Sequence, residues 1–271
     1  MNFMGYKRPD GSVGIRNHVL ILPCCACASE TCRVVASQVS GAVNIINNSG
    51  CAEVKGNEDM TQKILVGFAA NPNVYGVVVI GLGCENVSHS QLRESILKVT
   101  NKPVVSFGIQ EEGGTIETVA KAKKIARRMV IEASMCRREE CDSSELMLGI
   151  ECGGSDATSG LVSNPVMGII SDRIIAAGCQ LIVFTTGRGN AIGSAVAPVM
   201  KVTANGDTAR KLSDNIDLDM SAVLEEGVSL DAMADITMQQ ILDTLSGRLT
   251  SAETLKLGYS EAVISRACEY C

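Results

Sequence analysis

The chain has 271 residues, 46% of them hydrophobic and 20% charged, and 30 Asp and Glu against 24 Lys and Arg give it a formal net charge of −6. That length can bury the core of one large or two ordinary domains. The acidic balance argues against non-specific nucleic-acid binding, which needs a concentrated basic face, and 3% aromatics with no Trp argue against a surface that stacks bases or sugar rings.

From the N-terminus, "MNFMGYKRPDGSVGIRN" is polar, and no run in the chain reaches the ~20 apolar residues that a bilayer span requires. The expectation is a cytoplasmic protein with no membrane partner. Four later segments share one design: "NHVLILPC" runs into "CACASETC", "VYGVVVIG" into "LGCENVSHS", "ELMLGIEC" into "GGSDATSG", and "QLIVFTTG" into "RGNAIGS". Each is a continuous apolar run followed by a loop rich in Gly, Ser or Cys. Such runs fit strands covered on both faces, hence a parallel sheet. "KPVVSFG" and "PVMKVTAN" add further strands. Helices are predicted around 57–69, 88–99, 115–134, 207–213 and 230–246; "TIETVAKAKKIARRMVIEA" has the clearest helical spacing. The fold class is α/β, with mostly parallel sheets flanked by helices in two Rossmann-like lobes. The charged stretch "SMCRREECDSSE" (134–145) is the expected boundary between lobes 1–140 and 141–271.

Open parallel sheets bind ligands beyond the carboxyl ends of their strands, where helix N-termini favour anions. All four unusual loops are therefore expected to converge on one rim. Cys27, Cys51, Cys84 and Cys152 each sit at an apolar-to-polar transition. Thiolates so placed bind soft or borderline metals, either as an iron–sulfur cluster or as ferrous iron; the alternative is small buried residues tolerated in tight turns. Cys24, Cys25 and Cys32 read as packing or auxiliary ligands, and Cys268 and Cys271 have the spacing of a metal pair. Gly153, Gly154, Ser155 and Asp156 can present backbone N–H groups, a hydroxyl and a carboxylate, or simply cap a helix. Arg188 and Asn190 lie between glycines, where a guanidinium fork matches a carboxylate. Arg16, Asn17 and His18 follow one another; of the two histidines, His18 is a candidate for proton transfer or a half-buried strand residue, and His89 reads as exposed at a helix start.

Several motifs occur in order: "GYKRPDGSVGIRNHV", "SGCAEV", "NPNVYGVVVIGLGCEN", "IQEEGGT", "ECGGSDATSGLVSNPVMGIISD", "FTTGRGN" and "NIDLDMSAVLEEG". Together they closely resemble the altronate/galactarate dehydratase family, which also includes the large subunit of sulfolactate sulfo-lyase. The resemblance implies β-elimination of hydroxide or sulfite from a small 2-hydroxy acid, assisted by iron (Fe2+ or an iron–sulfur cluster) or another divalent metal. Cys27, Cys51, Cys84, Cys152, Arg16, Asn17, Glu85, the 153–156 run and Arg188–Asn190 match family positions. The site so implied takes His18, Glu85 and Asp156 as catalytic groups, and Arg16, Asn17, Gly153, Gly154, Ser155, Arg188 and Asn190 as substrate contacts. It takes Cys27, Cys51, Cys84 and Cys152 as metal ligands.

Three departures accompany the resemblance. Family members often carry a small N-terminal β-rich domain that this sequence lacks, so a small β-rich (SAF-type) subunit is an expected partner, alongside self-association as a homo-oligomer. Relatives continue through a long middle block between "NPVMGIISDRII" and "AAGCQLIVFTTGRGN", which are joined here at about 175–177. Ser49 stands where relatives commonly carry a histidine. The functional expectation is a lyase subunit; the alternatives are a non-catalytic anion- or metal-binding module and an iron–sulfur protein of the same descent.

Overall fold

A computed structural model describes residues 2–51, 57–173, 179–257, 261 and 262. Along the chain the elements are β1 (Asn2–Lys7), β2 (Val13–Gly14), β3 (His18–Pro23), α1 (Ala26–Ser37), β4 (Ala42–Asn44), β5 (Ile46–Asn47), α2 (Asn57–Ala70), β6 (Val74–Gly81), α3 (His89–Leu97), β7 (Val104–Gly108) and α4 (Thr115–Met135). Then follow β8 (Glu139–Asp142), β9 (Met147–Cys152), a π-helical turn at Ser159–Ser163 leading into α5 (Asn164–Arg173), β10 (Cys179–Thr185), β11 (Val199–Thr203), α6 (Gly206–Lys211), β12 (Leu218–Asp219), α7 (Ala222–Glu225), α8 (Leu230–Leu245), α9 (Ser251–Thr254) and β13 (Glu261–Ala262).

Two compact units emerge. In the N-lobe, formed by Asn17–Arg137, a parallel sheet runs β4-β3-β6-β7. Its central strands are apolar on both faces because helices cover both: on one, Val19, Ile21, Val78 and Ile80 pack with Cys32 and Val35 of α1 and with Ala122, Ala126 and Met129 of α4; on the other, Leu20, Leu22, Val77 and Val79 are buried, with α2 and α3 against β6. Helix α3 starts at a reciprocal cap in which Ser88 and Gln91 satisfy each other's backbone. In the C-lobe, formed by Met1–Arg16 and Arg138–Gly258, a second parallel sheet runs β12-β11-β10-β9. Leu181, Val183, Met200 and Val202 bury one of its faces against Val166 and Ile170 of α5 and Met233, Met238 and Ile241 of α8.

The α/β class with helix-flanked parallel sheets is thus the observed one, and the predicted strands and helices fall within a few residues of those seen. Two features differ from expectation. The stretch 139–142, inside the expected boundary region, forms a strand, β8, which pairs antiparallel with β1 from Asn2↔Asp142 to Gly5↔Glu139. That pairing carries the first sixteen residues into the C-lobe, with Phe3, Val13 and Ile15 in its core. The four Gly- and Cys-rich loops also do not share one sheet: those after β3 and β6 belong to the N-lobe rim, those after β9 and β10 to the C-lobe rim. Among the described residues no helix is long and apolar enough to cross a membrane.

Candidate functional site

In the N-lobe, the carboxyl ends of β3 and β6 bring together thiols, a carboxylate and an imidazole. Cys25 caps the start of α1 and is buried; Cys27 and Cys51 are exposed, and the Sγ atoms of all three lie within 4.8 Å of one another. The loop carrying Cys51 is bolted to the loop carrying Cys25. Ala26 N–H donates to Ser49 O at 2.8 Å, and buried Asn47 donates through Nδ2 to Cys24 O at 3.0 Å while its Oδ1 accepts from Ser49 N–H at 2.9 Å. Although the residue is exposed, partial desolvation of its thiol among the neighbouring sulfurs pushes Cys51 up to about 12, helped by Cys25, Cys27 and Cys84. Burial also raises Cys25, against the amides of Ala28 and Leu82, with the Glu85 carboxylate adding to the rise. Crowded thiols resist ionising side by side unless a cation joins them.

Glu85 is held in an unusual way. Its Oε2 accepts from the backbone N–H groups of Leu82 at 3.0 Å and Gly83 at 2.7 Å, whereas its buried Oε1 has no hydrogen-bond partner among the described residues. The carboxylate lies over Gly81, where any Cβ would run into Oε1; the same Cβ would stand 3.2 Å from Cβ of His89. His89 is not the exposed residue that its sequence context predicts. Its side chain is 13% exposed, with Nε2 3.1 Å from Glu111 Oε2 and Nδ1 3.3 Å from Ser106 Oγ. The sequence offered Cys25 as packing or an auxiliary ligand and His89 only as an exposed helix start; the stronger signal available for both was proximity to a strand's carboxyl end.

The C-lobe rim gathers a different set. Cys152 Sγ lies 2.8 Å from Ser155 Oγ, and the hydroxyls of Ser155 and Thr185 hold this thiol below its ordinary value against partial burial. Gly154, in the left-handed region at φ +64°, turns its carbonyl to accept from the N–H groups of Gly187 and Arg188 at 3.1 and 2.8 Å, tying the two loops together. Arg188 is exposed, and its guanidinium has no partner among the described residues. Asn190 Oδ1 accepts from Ile192 N–H at 3.0 Å, while its buried Nδ2 has no partner among the described residues.

Other expected site residues are engaged elsewhere. Asp156 acts as a structural hub: Oδ1 accepts from Thr158 N–H, Thr158 Oγ and Ser159 N–H, and Oδ2 from Asn205 Nδ2 at 2.8 Å. Burial alone would raise its carboxyl, but these donors hold it below its ordinary value. Arg16, expected to meet an anionic substrate, is 6% exposed and grips Glu253 with both forks, Nε to Oε1 at 2.6 Å and Nη2 to Oε2 at 2.8 Å. Its remaining donors reach the carbonyls of Ile15, Thr244 and Arg248. Asn17 donates to Ala133 O at 2.7 Å. His18 opens β3 at the amino end of the sheet, its N–H on Asn73 O; six residues of strand, roughly 20 Å at 3.3 Å each, separate it from the thiol end. Cys268, Cys271 and the junction at 175–177 lie outside the described residues.

Residues 5–134 match the family described as D-galactarate dehydratase/altronate hydrolase, second domain, and 143–176 and 173–269 match the C-terminal domain of D-galactarate/altronate dehydratase. The chain is 27% identical to (2R)-sulfolactate sulfo-lyase subunit beta of Chromohalobacter salexigens over 386 aligned positions, covering 98% of each. The alignment is much longer than this 271-residue chain, and the C-terminal match breaks and restarts at 173–176; the relative thus holds an internal block without counterpart here. The altronate dehydratase of Bacillus subtilis is 32% identical across 65% of this chain and 37% of its own length. The L-threo-forming galactarate dehydratase of Escherichia coli is 30% identical across 66% of the chain and 38% of its own length.

Proposed function

Because the chain belongs to the D-galactarate/altronate dehydratase family, carrying matches to both its second and its C-terminal domain, we propose that it is a lyase subunit performing β-elimination on a small 2-hydroxy acid. Such a reaction needs an acceptor for the proton alpha to the carboxylate, a cationic partner for that carboxylate, and a proton for the departing hydroxide or sulfite. The observation that carries the proposal is Glu85: two backbone amides fix one oxygen, and the other is buried without a partner among the described residues. That free oxygen is the proposed proton acceptor. His89, steadied by Glu111 and Ser106 beside the same Gly81, is the proposed donor to the leaving group. The C-lobe rim is a separate proposed anion-binding surface: Arg188 is exposed, and neither its guanidinium nor the buried Asn190 Nδ2 has a partner among the described residues. Gly153, Gly154 and Ser155 shape that rim, and Asp156 holds it rigid.

The donor set of the N-lobe rim fits a metal. Cys27 and Cys51 of the expected ligands, joined by Cys25, would hold iron or another divalent ion, which when bound would supply Lewis-acid stabilisation of developing negative charge. A second subunit belongs to the proposal as well, because the relative matched along its whole length is named as a subunit.

The internal break in the C-terminal match favours a second reading, an anion-binding module without turnover. Both are tested with protein purified anaerobically with ferrous iron and offered altronate, galactarate or sulfolactate. The lyase reading expects a 2-keto acid product, with sulfite released from sulfolactate. A rise in melting temperature without product selects the binding module, and neither shift nor product overturns both.

A further inference from the structure

We propose that Cys25, Cys27 and Cys51 form a single-ion centre: three tetrahedral thiolate ligands for one thiophilic divalent cation, zinc or ferrous iron, with the fourth position open. The role of such a centre rests on the metal-assisted reading above, whereas its geometry stands on the three thiols alone. With metal–sulfur bonds of about 2.3 Å, two thiolates on one tetrahedral ion stand roughly 3.8 Å apart. The three Sγ atoms already lie within 4.8 Å of one another, so a small contraction closes them on one ion. A four-iron cluster with its cysteines on different irons would require the thiols to spread.

The backbone is built to hold this spacing. Gly50 adopts φ +102°, a conformation that L side chains rarely take, and a Cβ there would come within 2.5 Å of Cys24 O and 2.7 Å of Cys25 Cα. Only glycine lets the Cys51 loop approach this closely. Its carbonyl accepts from Asn86 N–H at 3.0 Å, and Asn47, buried and bonded to both loops, fixes the other side. Cys25 anchors the set from the interior, while exposed Cys27 and Cys51 admit the ion from solvent. Binding displaces the thiol protons, so affinity rises with pH. Cys84 influences the charge state of Cys51 but is not one of the three, and Cys152 is engaged with Ser155. The expected four-cysteine set is thereby narrowed to Cys27 and Cys51, with Cys25 added.

The test is anaerobic titration of the reduced, chelator-stripped full chain with cobalt(II). The expected result is one equivalent bound, with thiolate-to-cobalt charge-transfer absorption and tetrahedral visible bands, both bleached by one equivalent of zinc. Cys27→Ser and Gly50→Ala should each lose the bands, the latter with every thiol present and the far-ultraviolet circular dichroism unchanged. Cys84→Ser and Cys152→Ser should keep them. Several irons with matching acid-labile sulfide per chain after reconstitution, or full band intensity in a folded Gly50→Ala protein, would overturn the proposal. Cobalt bands in a protein without lyase turnover leave the centre standing and remove only its role.

Discussion

The carboxylate of Asp156 lies against Gly187, on the one face of the glycine where any side chain would displace it. The contact lets a single carboxylate cap the helix that follows it, through Thr158 and Ser159, and reach Asn205 on the neighbouring loop. Gly187→Ala should expel the carboxylate and cost about 1–3 kcal/mol, the usual range for a lost charged hydrogen-bond set. Urea unfolding of the variant measures this, and an unchanged midpoint would show that the loop absorbs a Cβ without loss.

Arg16 and Glu253 make the second prediction. The pair is largely buried, at 7% and 18% side-chain exposure, and Glu253 also accepts from Thr250 N–H at the start of α9. Removing one partner of a buried ion pair strands the other charge and typically costs about 3–5 kcal/mol. Arg16→Ala should therefore destabilise the protein by that order, while leaving intact the anion affinity that depends on Arg188. Isothermal titration with a sugar acid, paired with denaturation, separates the two effects.

A third prediction concerns Cys152. The hydroxyls of Ser155 and Thr185 stabilise its thiolate, whereas burial and neighbouring sulfurs keep Cys51 protonated to about 12. In metal-free protein near neutral pH, iodoacetamide should label Cys152 well before Cys51, as mapped by peptide mass spectrometry. Ser155→Ala should move the Cys152 labelling midpoint to higher pH.

Lys201 gives a pH prediction. Its side chain is wholly buried, and Nζ has no hydrogen-bond partner among the described residues. Burial lowers its proton affinity below the ordinary 10.5, with Asp217 opposing the shift. Between the depressed folded value and 10.5 the unfolded chain binds more protons, so this group adds stability as pH rises through that window and withdraws it as pH falls. Lys201→Met should remove that rise. Comparing variant with wild type at each pH isolates it from the buried cysteines, whose raised values act in the opposite direction.

Much of the fold was legible because each parallel strand is a continuous apolar run ended by glycine, as in "VYGVVVIG", and α4 repeats its apolar residues at helical spacing over Thr115–Met135. The β1–β8 pair was not legible: both strands are short, polar-rich and antiparallel, and their partnership joins residues well over a hundred positions apart. The site shows the same division. Loop chemistry at strand ends marked Cys27, Cys51 and Arg188, and the family resemblance added Glu85. Long-range pairing decided the rest: Arg16 is claimed by Glu253, His89 by Glu111 and Ser106, and Cys25 enters the thiol group because Gly50 admits the facing loop. None of these pairings leaves a local pattern.

The most direct measurement follows the α-proton of a 2-hydroxy acid substrate by NMR in D2O, with the metal-loaded wild type beside Glu85→Gln. Glutamine keeps the shape but is not a base. The wild type should lose the α-proton signal as the 2-keto product forms, and the variant should bind the acid yet turn over about a hundredfold or more slowly. Wild-type rates in Glu85→Gln would contradict the assignment of proton abstraction to that unpartnered oxygen.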